Sequence, residues 1–326
     1  MKYQIDKQFK NRVVKLPFSA AMLRLSHVFM PLMLWFVGAP GVRAACQKRG
    51  GLWEYTFTPS DCGADAPCVM FFHGGGFGYS AAPHHKHMAA KLAATTGCRV
   101  IMLEYRLLPE HPYPAAREDA AAAYRRMCEV YPAAQGYAVI GDSAGGALAV
   151  YAAFDAQRQG LPAPKIELLL YPVLAAIPET ESMRRFTDTP MWNAKNNAKM
   201  WQMYLGETAP ADAAPDALPL PEQPPRVYIE LAEIDCLHDE GAAYAARLSA
   251  AGAAVELHEI SGAPHGFDAV ESARITKKCM QMRADALRRA FAEGQKRLGA
   301  QMSTEFVGLS TSHNPAENLQ RTACSK

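Results

Sequence analysis

Between Pro67 and Ile260, short apolar runs alternate with helix-like stretches, and this alternation constrains the fold more than any other feature. The runs "PCVMFF" (67–72), "CRVIMLEY" (98–105), "YAVIGD" (137–142), "KIELLLYPVL" (165–174), "RVYIELAEID" (226–235) and "AVELHEI" (254–260) read as strands. Helical patterns fill the gaps: "AAPHHKHMAAKLAATTG" ends at Gly97, another helix starts near Pro114, "SAGGALAVYAAFDAQRQG" closes at Gly160, and "DEGAAYAARLSAAG" precedes the last run. "LWEYTFT" (52–58) adds an earlier strand. A final helix over 271–299 carries an apolar stripe of Ile275, Cys279, Met282 and Leu287. Strands interleaved with helices imply βαβ units: an α/β fold with a mostly parallel central sheet and helices on both faces. Ligands of such sheets sit at the carboxyl ends of the strands.

Composition narrows the function. With 49% hydrophobic and 20% charged residues, the 326-residue chain can bury a sizeable core. Lys and Arg total 34 against 32 acidic residues, which leaves no electrostatic footprint for nucleic acid or an anionic membrane. Eight cysteines without a CxxC pair or zinc-type spacing read as reduced, packed thiols, which points to the cytoplasm. His84 and His87 in "PHHKH" lie one helical turn apart, but no acidic or thiol neighbour accompanies them, so a solvated helix start is expected and no metal site. The apolar stretch Val28–Ala45 is similar to a signal-peptide core, yet 27 residues precede it, and Pro31 and Pro40 make it a poor membrane span. Met22, Leu25, Phe29, Leu32 and Phe36 recur at helical spacing, so an amphipathic helix that covers another surface is expected, with no stable membrane association.

"GDSAGG" (141–146) fits G-x-S-x-G, placed after an apolar run and before a helix. A serine on so sharp a strand–helix turn is strained, and its hydroxyl is thrust out at the top of the sheet. Gly141 and Gly145 allow strand and helix backbones to approach, and Asp142 is expected to hydrogen-bond structurally, away from Ser143. A serine hydroxyl needs a base at neutral pH, and in this layout the order is Ser, then Asp or Glu, then His. Four histidines follow Ser143: His238, His258, His265 and His313. His313 lies in a polar terminus and His258 inside a strand, whereas His265 follows the last strand in "APHGF" and is the natural base, with His238 in reserve. Asp235, at the end of its strand, is the favoured acid; Asp239 and Glu240 are explained by the helix start that follows.

"HGGGF" (73–77) places three glycines directly after a buried run. Such a loop supplies backbone N–H groups to the oxyanion formed in acyl transfer. Gly74 and Gly75 are the expected donors, with Ala144 as the third; Gly76 completes the motif and His73 organises the loop. Phe77 and Tyr79 are candidates for the pocket wall. Residues 178–224 differ in texture, with a cluster of Met191, Trp192, Met200, Trp201, Met203 and Tyr204 that either lines an acyl pocket or packs the segment itself.

These blocks, with "EYRLLPEHPYPAAREDA" (104–120), "YPVL" (171–174), "DCLHDEG" (235–241) and "HGF" (265–267), resemble the hormone-sensitive-lipase-like family of α/β-hydrolases, bacterial carboxylesterases in particular. The resemblance implies the α/β-hydrolase fold, with Ser143 as nucleophile, His265 as base, Asp235 as acid, and Gly74, Gly75 and Ala144 as oxyanion hole. It also implies a helical cap from residues 1–45 and 178–224 over a core of 46–177 and 225–298, followed by a mobile tail at 299–326. The sequence departs from the usual family pattern at Glu104, Leu108, Cys236 and His238, and the short stretch before "PCVMFF" suggests trimmed opening strands. The implied activity is hydrolysis of small short-acyl esters without a cofactor. Alternatives on the same scaffold are an arylformamidase or other amide hydrolase, a non-catalytic ligand receptor, and a membrane-associated lipase. A homodimer through an outer strand or the last helix is compatible with the layout.

Overall fold

The computed structural model describes residues 3–32, 38–176, 179–221 and 224–310. Among them, eight strands form one sheet: β1 (Val42–Arg49), β2 (Leu52–Pro59), β3 (Cys68–Phe72), β4 (Arg99–Glu104), β5 (Tyr137–Asp142), β6 (Ile166–Leu170), β7 (Arg226–Ile234) and β8 (Val255–Pro264). Their spatial order is β1-β2-β4-β3-β5-β6-β7-β8. β2 pairs antiparallel with β1 and β4, and every later pairing is parallel. The helices are α1 (Ala20–Leu32), α2 (Pro83–Thr96), α3 (Ala115–Val130), α4 (Ala144–Arg158), α5 (Glu181–Arg185), α6 (Ala194–Leu205), α7 (Pro210–Ala213), α8 (His238–Ala250) and α9 (Arg274–Ser310).

Successive strand side chains point to opposite faces and so feed two cores. Met70 and Phe72 of β3 join Tyr124 of α3, Leu148 of α4 and Leu248 of α8. Val69 and Phe71 join Leu92 of α2 and Leu287 of α9 on the other face. Because both faces are covered, β3, β5 and β6 are buried along their whole length, which explains their unbroken apolar sequence. From β3 the chain passes to β4 on one side and then returns to β5 on the other. The crevice at this reversal is where open α/β sheets bind ligands. Phe72 is in register with Gly141, so the loops after β3 and β5 leave the sheet side by side.

Several N-terminal expectations are corrected. Residues 1–45 are not a helical unit: α1 is the one helix among the described residues there, and Val42–Ala45 open β1. Nor are the opening strands trimmed, since β1 and β2 have eight residues each. The stripe of Met22, Leu25 and Phe29 is not buried against any other element among the described residues. Leu25 and Phe29 are 49% and 56% exposed, while Leu23, off the stripe, is fully buried; Leu32 and Phe36 lie outside the described side chains. The cause is tertiary: Leu23 packs against Gly78 and His27 Nε2 hydrogen-bonds Gly78 O at 2.7 Å, which fixes the other face of α1 inward. At the far end α9 continues to Ser310, so 299–310 is helical, while 311–326 lies outside the described residues. No helix among the described residues is long and apolar enough to cross a membrane.

The segment between β6 and β7 holds α5, α6 and α7 and is knitted to the N-terminal segment. Met191 N donates to Val14 O at 2.7 Å, Asn196 Nδ2 to Leu16 O at 2.9 Å, and Tyr3 Oη to Asp188 Oδ1 at 2.5 Å. Phe18 packs edge-on against Trp192 at 5.3 Å between ring centres.

Candidate active site

Ser143, Asp235 and His265 each stand one residue beyond a strand, at the carboxyl ends of β5, β7 and β8. The serine occupies the turn into α4 with φ 55°, a left-handed conformation that an L residue adopts only under constraint. That constraint is close approach. A Cβ on Gly141 would strike Gly145 O, and one on Gly145 would strike Phe72 O, both far inside contact distance. The turn is also held by Ser143 N donating to Leu170 O and by Ser143 O accepting from Val173 N, each at 2.9 Å.

A register shift between Ala232 and Ile234 aligns Ile234 with Pro264, so Asp235 and His265 leave neighbouring strands in step. His265 Nδ1 lies 2.6 Å from Asp235 Oδ2, and His265 Nε2 lies 2.9 Å from Ser143 Oγ. Asp235 is fully buried, and its other oxygen accepts from Leu237 N at 3.0 Å. A carboxylate only accepts, so the imidazole donates through Nδ1 and leaves the Nε2 lone pair facing the hydroxyl. This arrangement can remove a proton from Ser143 and stabilise the imidazolium that results.

The other histidines fall elsewhere. His238 Nδ1 contacts Asp239 Oδ1 at 2.9 Å, and His258 Nε2 contacts Glu256 Oε1 at 2.9 Å. His313 lies outside the described residues. Asp239 and Glu240 sit in the first turn of α8, as expected, and each also makes a tertiary contact. Asp239 accepts from Ser182 N at 2.8 Å, and Glu240 from Leu174 N at 2.8 Å, so they tie α8 to the segment after β6. Burial pushes the Glu240 carboxyl well above the usual carboxylate range.

The glycine loop requires a correction. Gly74 N–H, expected to face a substrate oxygen, donates instead to Asp142 Oδ1 at 3.0 Å. That amide is committed to anchoring the loop. No hydrogen-bond acceptor pairs with the amides of Gly75, Gly76 or Ala144 among the described residues. Asp142 thus receives the loop amide and has a second partner in His85. Ala82 N donates to His85 Nδ1 at 2.9 Å, so His85 donates through Nε2 to Asp142 Oδ2 at 3.2 Å. Burial alone would raise the Asp142 pKa, but its contact with His85 holds it down to about 2. His73 is fully buried, stacks on Tyr105 at 4.4 Å, and bonds Gly74 O through Nδ1 at 2.8 Å. Burial lowers its pKa, so it is a neutral strut.

The four candidate pocket residues separate. Trp192 lies 6.2 Å from the His265 ring, and its indole edge abuts Gly76. Tyr79 is half-buried and its hydroxyl donates to Pro17 O. Phe77 is fully buried, stacked on Tyr204 at 3.9 Å, and Trp201 lies 6.2 Å from Phe77. Phe77 and Trp201 thus form the packing between the glycine loop and α6. Ser143 and His265 are only 4% and 5% exposed beneath Trp192 and the N-terminal segment.

Sequence reasoning missed the support of the histidine loop. Arg283 of α9 is fully buried and bonds Glu230 Oε2 at 2.5 Å and Asp268 Oδ2 at 2.8 Å. Asp268 accepts from Tyr171 Oη at 2.7 Å, and the Tyr171 ring meets His265 edge-on at 5.0 Å. The available signal was an arginine four residues after Cys279, on the apolar stripe of the last helix. His87, expected to lack an acidic neighbour, receives Glu271 at 2.7 Å from a distant part of the chain. No group of three or more metal-binding side chains occurs among the described residues.

A mostly parallel sheet with serine, histidine and carboxylate converging on its carboxyl edge defines the class of α/β-hydrolase scaffolds. The chain belongs to the alpha/beta hydrolase fold family, whose model matches residues 69–269. It is similar to an esterase of Mycobacterium tuberculosis, LipI, with 38% identity over 213 residues, 63% of this chain and 66% of the relative. It is also 36% identical over 211 residues to an ethyl acetate hydrolase of Pseudomonas putida, covering 61% of this chain and 65% of that one. The chain thus spans a little under two thirds of the length of these relatives. Among solved structures, esterase LipW of Mycobacterium marinum matches 88% of this chain and 96% of its own, with a TM-score of 0.76 and 28% identity.

Proposed function

We propose that the protein is a serine carboxylester hydrolase. The observation that carries this reading is the continuous contact from Asp235 through His265 to Ser143, at 2.6 and 2.9 Å. In the proposed reaction Ser143 Oγ attacks the ester carbonyl while His265 Nε2 takes its proton. The imidazolium returns that proton to the departing alcohol oxygen. Water, deprotonated by the same nitrogen, then releases the acid from the acyl-enzyme. The amides of Gly75, Gly76 and Ala144 receive the developing oxyanion, and the start of α4 adds favourable dipole.

The N-terminal segment and the β6–β7 segment act as a cap in this reading. Trp192 and Phe18 pack together where an acyl chain would enter, which supports small, short-acyl substrates. The similarity to named esterases, one an ethyl acetate hydrolase, supports the same class. Ser143→Ala is expected to reduce turnover of p-nitrophenyl acetate by a factor on the order of 10³ or more without loss of folding. Turnover within tenfold of wild type would overturn the assignment.

A further inference from the structure

A second cavity opens on the opposite side of the molecule from Ser143, toward the amino ends of the parallel strands. It holds about 320 Å³, within the range of small-molecule sites (~300–1,000 Å³). Val150 and Phe154 of α4, Tyr244 and Leu248 of α8, and Leu220 of the loop before β7 line it. Pro219, Pro221 and Pro225 also line it, and Arg247 Nη2 donates to Leu218 O at 2.8 Å beside them. The lining is otherwise mostly apolar, with Gln157 its other polar side chain, and Glu167, the second residue of β6, supplies its one carboxyl group.

Glu167 is 6% exposed and has no hydrogen-bond or ion-pair partner among the described residues. The other buried acids of the sheet are served among the described residues: Glu230 binds Arg283, Glu54 binds Arg126, and Asp142 receives Gly74 N–H and His85. An isolated carboxylate in an apolar wall is expensive, and it relieves the cost by taking up a proton or meeting a cation. Burial raises the Glu167 carboxyl to about 8, so near neutrality it changes state readily if a cation is supplied. Phe154 and Tyr244, in the same lining, offer aromatic surface to a cation's apolar body.

We propose that this cavity is a binding site for a small hydrophobic amine, whose ammonium pairs with Glu167 while its apolar body fills the space between α4 and α8. The site is independent of the ester chemistry proposed above. A neutral guest of the same shape would leave the carboxyl unpaired and bind weakly.

The probe is 2-phenylethylamine, with 2-phenylethanol as its neutral counterpart, titrated calorimetrically into the full chain at pH 7. Wild type is expected to bind the amine at least tenfold more tightly than the alcohol. Glu167→Gln, nearly isosteric, is expected to lose that preference, and so is Glu167→Leu, which suits the apolar wall and secures a folded variant. Turnover of p-nitrophenyl acetate in both variants, read separately, reports on Ser143 alone. Absence of amine binding to wild type, or equal preference in the Glu167 variants, would overturn the proposal.

Discussion

Asp142 stands beside Ser143, yet its carboxylate turns away to receive Gly74 N–H and His85. One side chain thereby couples the glycine loop to the nucleophile turn. Its depressed pKa has a thermodynamic consequence. Above about pH 4 the carboxylate is ionised whether the chain is folded or not. Between about pH 4 and about pH 2 the unfolded chain takes up a proton that the folded chain resists, so this stabilisation is lost as pH falls through that window. Urea midpoints are expected to decline more steeply over the window for wild type than for Asp142→Asn. Identical slopes would show that Asp142 contributes nothing. Local sequence pointed to a hydrogen-bonding role for Asp142 and to Gly74 as an oxyanion donor. An amide has one hydrogen, and only the approach of two loops 68 residues apart decided which acceptor took it.

At the scale of elements, α9 and α1 show opposite failures of periodicity. In α9 the stripe faces inward as expected, but it carries Arg283 into the core between Glu230 and Asp268. Breaking one partner of such a group leaves charges buried without compensation. Arg283→Met is expected to lower stability by about 3–5 kcal/mol by denaturant unfolding. It should also reduce kcat more than it raises KM, because the loop bearing His265 rests on Asp268 and Tyr171. Unchanged stability would mean that the two carboxylates find other partners. In α1 the apolar stripe faces outward, and Leu23 alone of its described apolar side chains is fully buried. Leu23→Ala is therefore expected to cost about 2–5 kcal/mol, while Phe29→Ser stays within about 0.5 kcal/mol. Thermal melts of the two variants test this, and the reverse ranking would contradict the placement of α1. A helix's moment says that one face is apolar. It does not say which face finds a neighbour.

On the scale of the whole molecule, the candidate site is a meeting of three strand ends with two segments that arrive from outside the sheet. Trp192 couples these parts, since it touches Phe18, Gly76 and His265. If it limits the acyl group, Trp192→Ala should raise kcat/KM for p-nitrophenyl octanoate relative to the acetate by roughly tenfold, the scale of pocket discrimination among apolar groups. An unchanged ratio would place the acyl chain elsewhere.

The strand–helix alternation, the strained serine turn and the order of serine, acid and histidine were legible without coordinates. Each depends on short-range sterics and on the few topologies open to βαβ units. The extent of β1 was not legible, because the antiparallel edge strand of "VRAACQKR" is mostly exposed and carries no apolar run. Four further matters were settled only by tertiary packing: which amides of "HGGG" remain free, which face of α1 is covered, what Arg283 holds, and that Glu167 faces a cavity. Each is a contact between residues distant in the chain, where burial and partner geometry outweigh local preference. No spacing within the sequence encodes them.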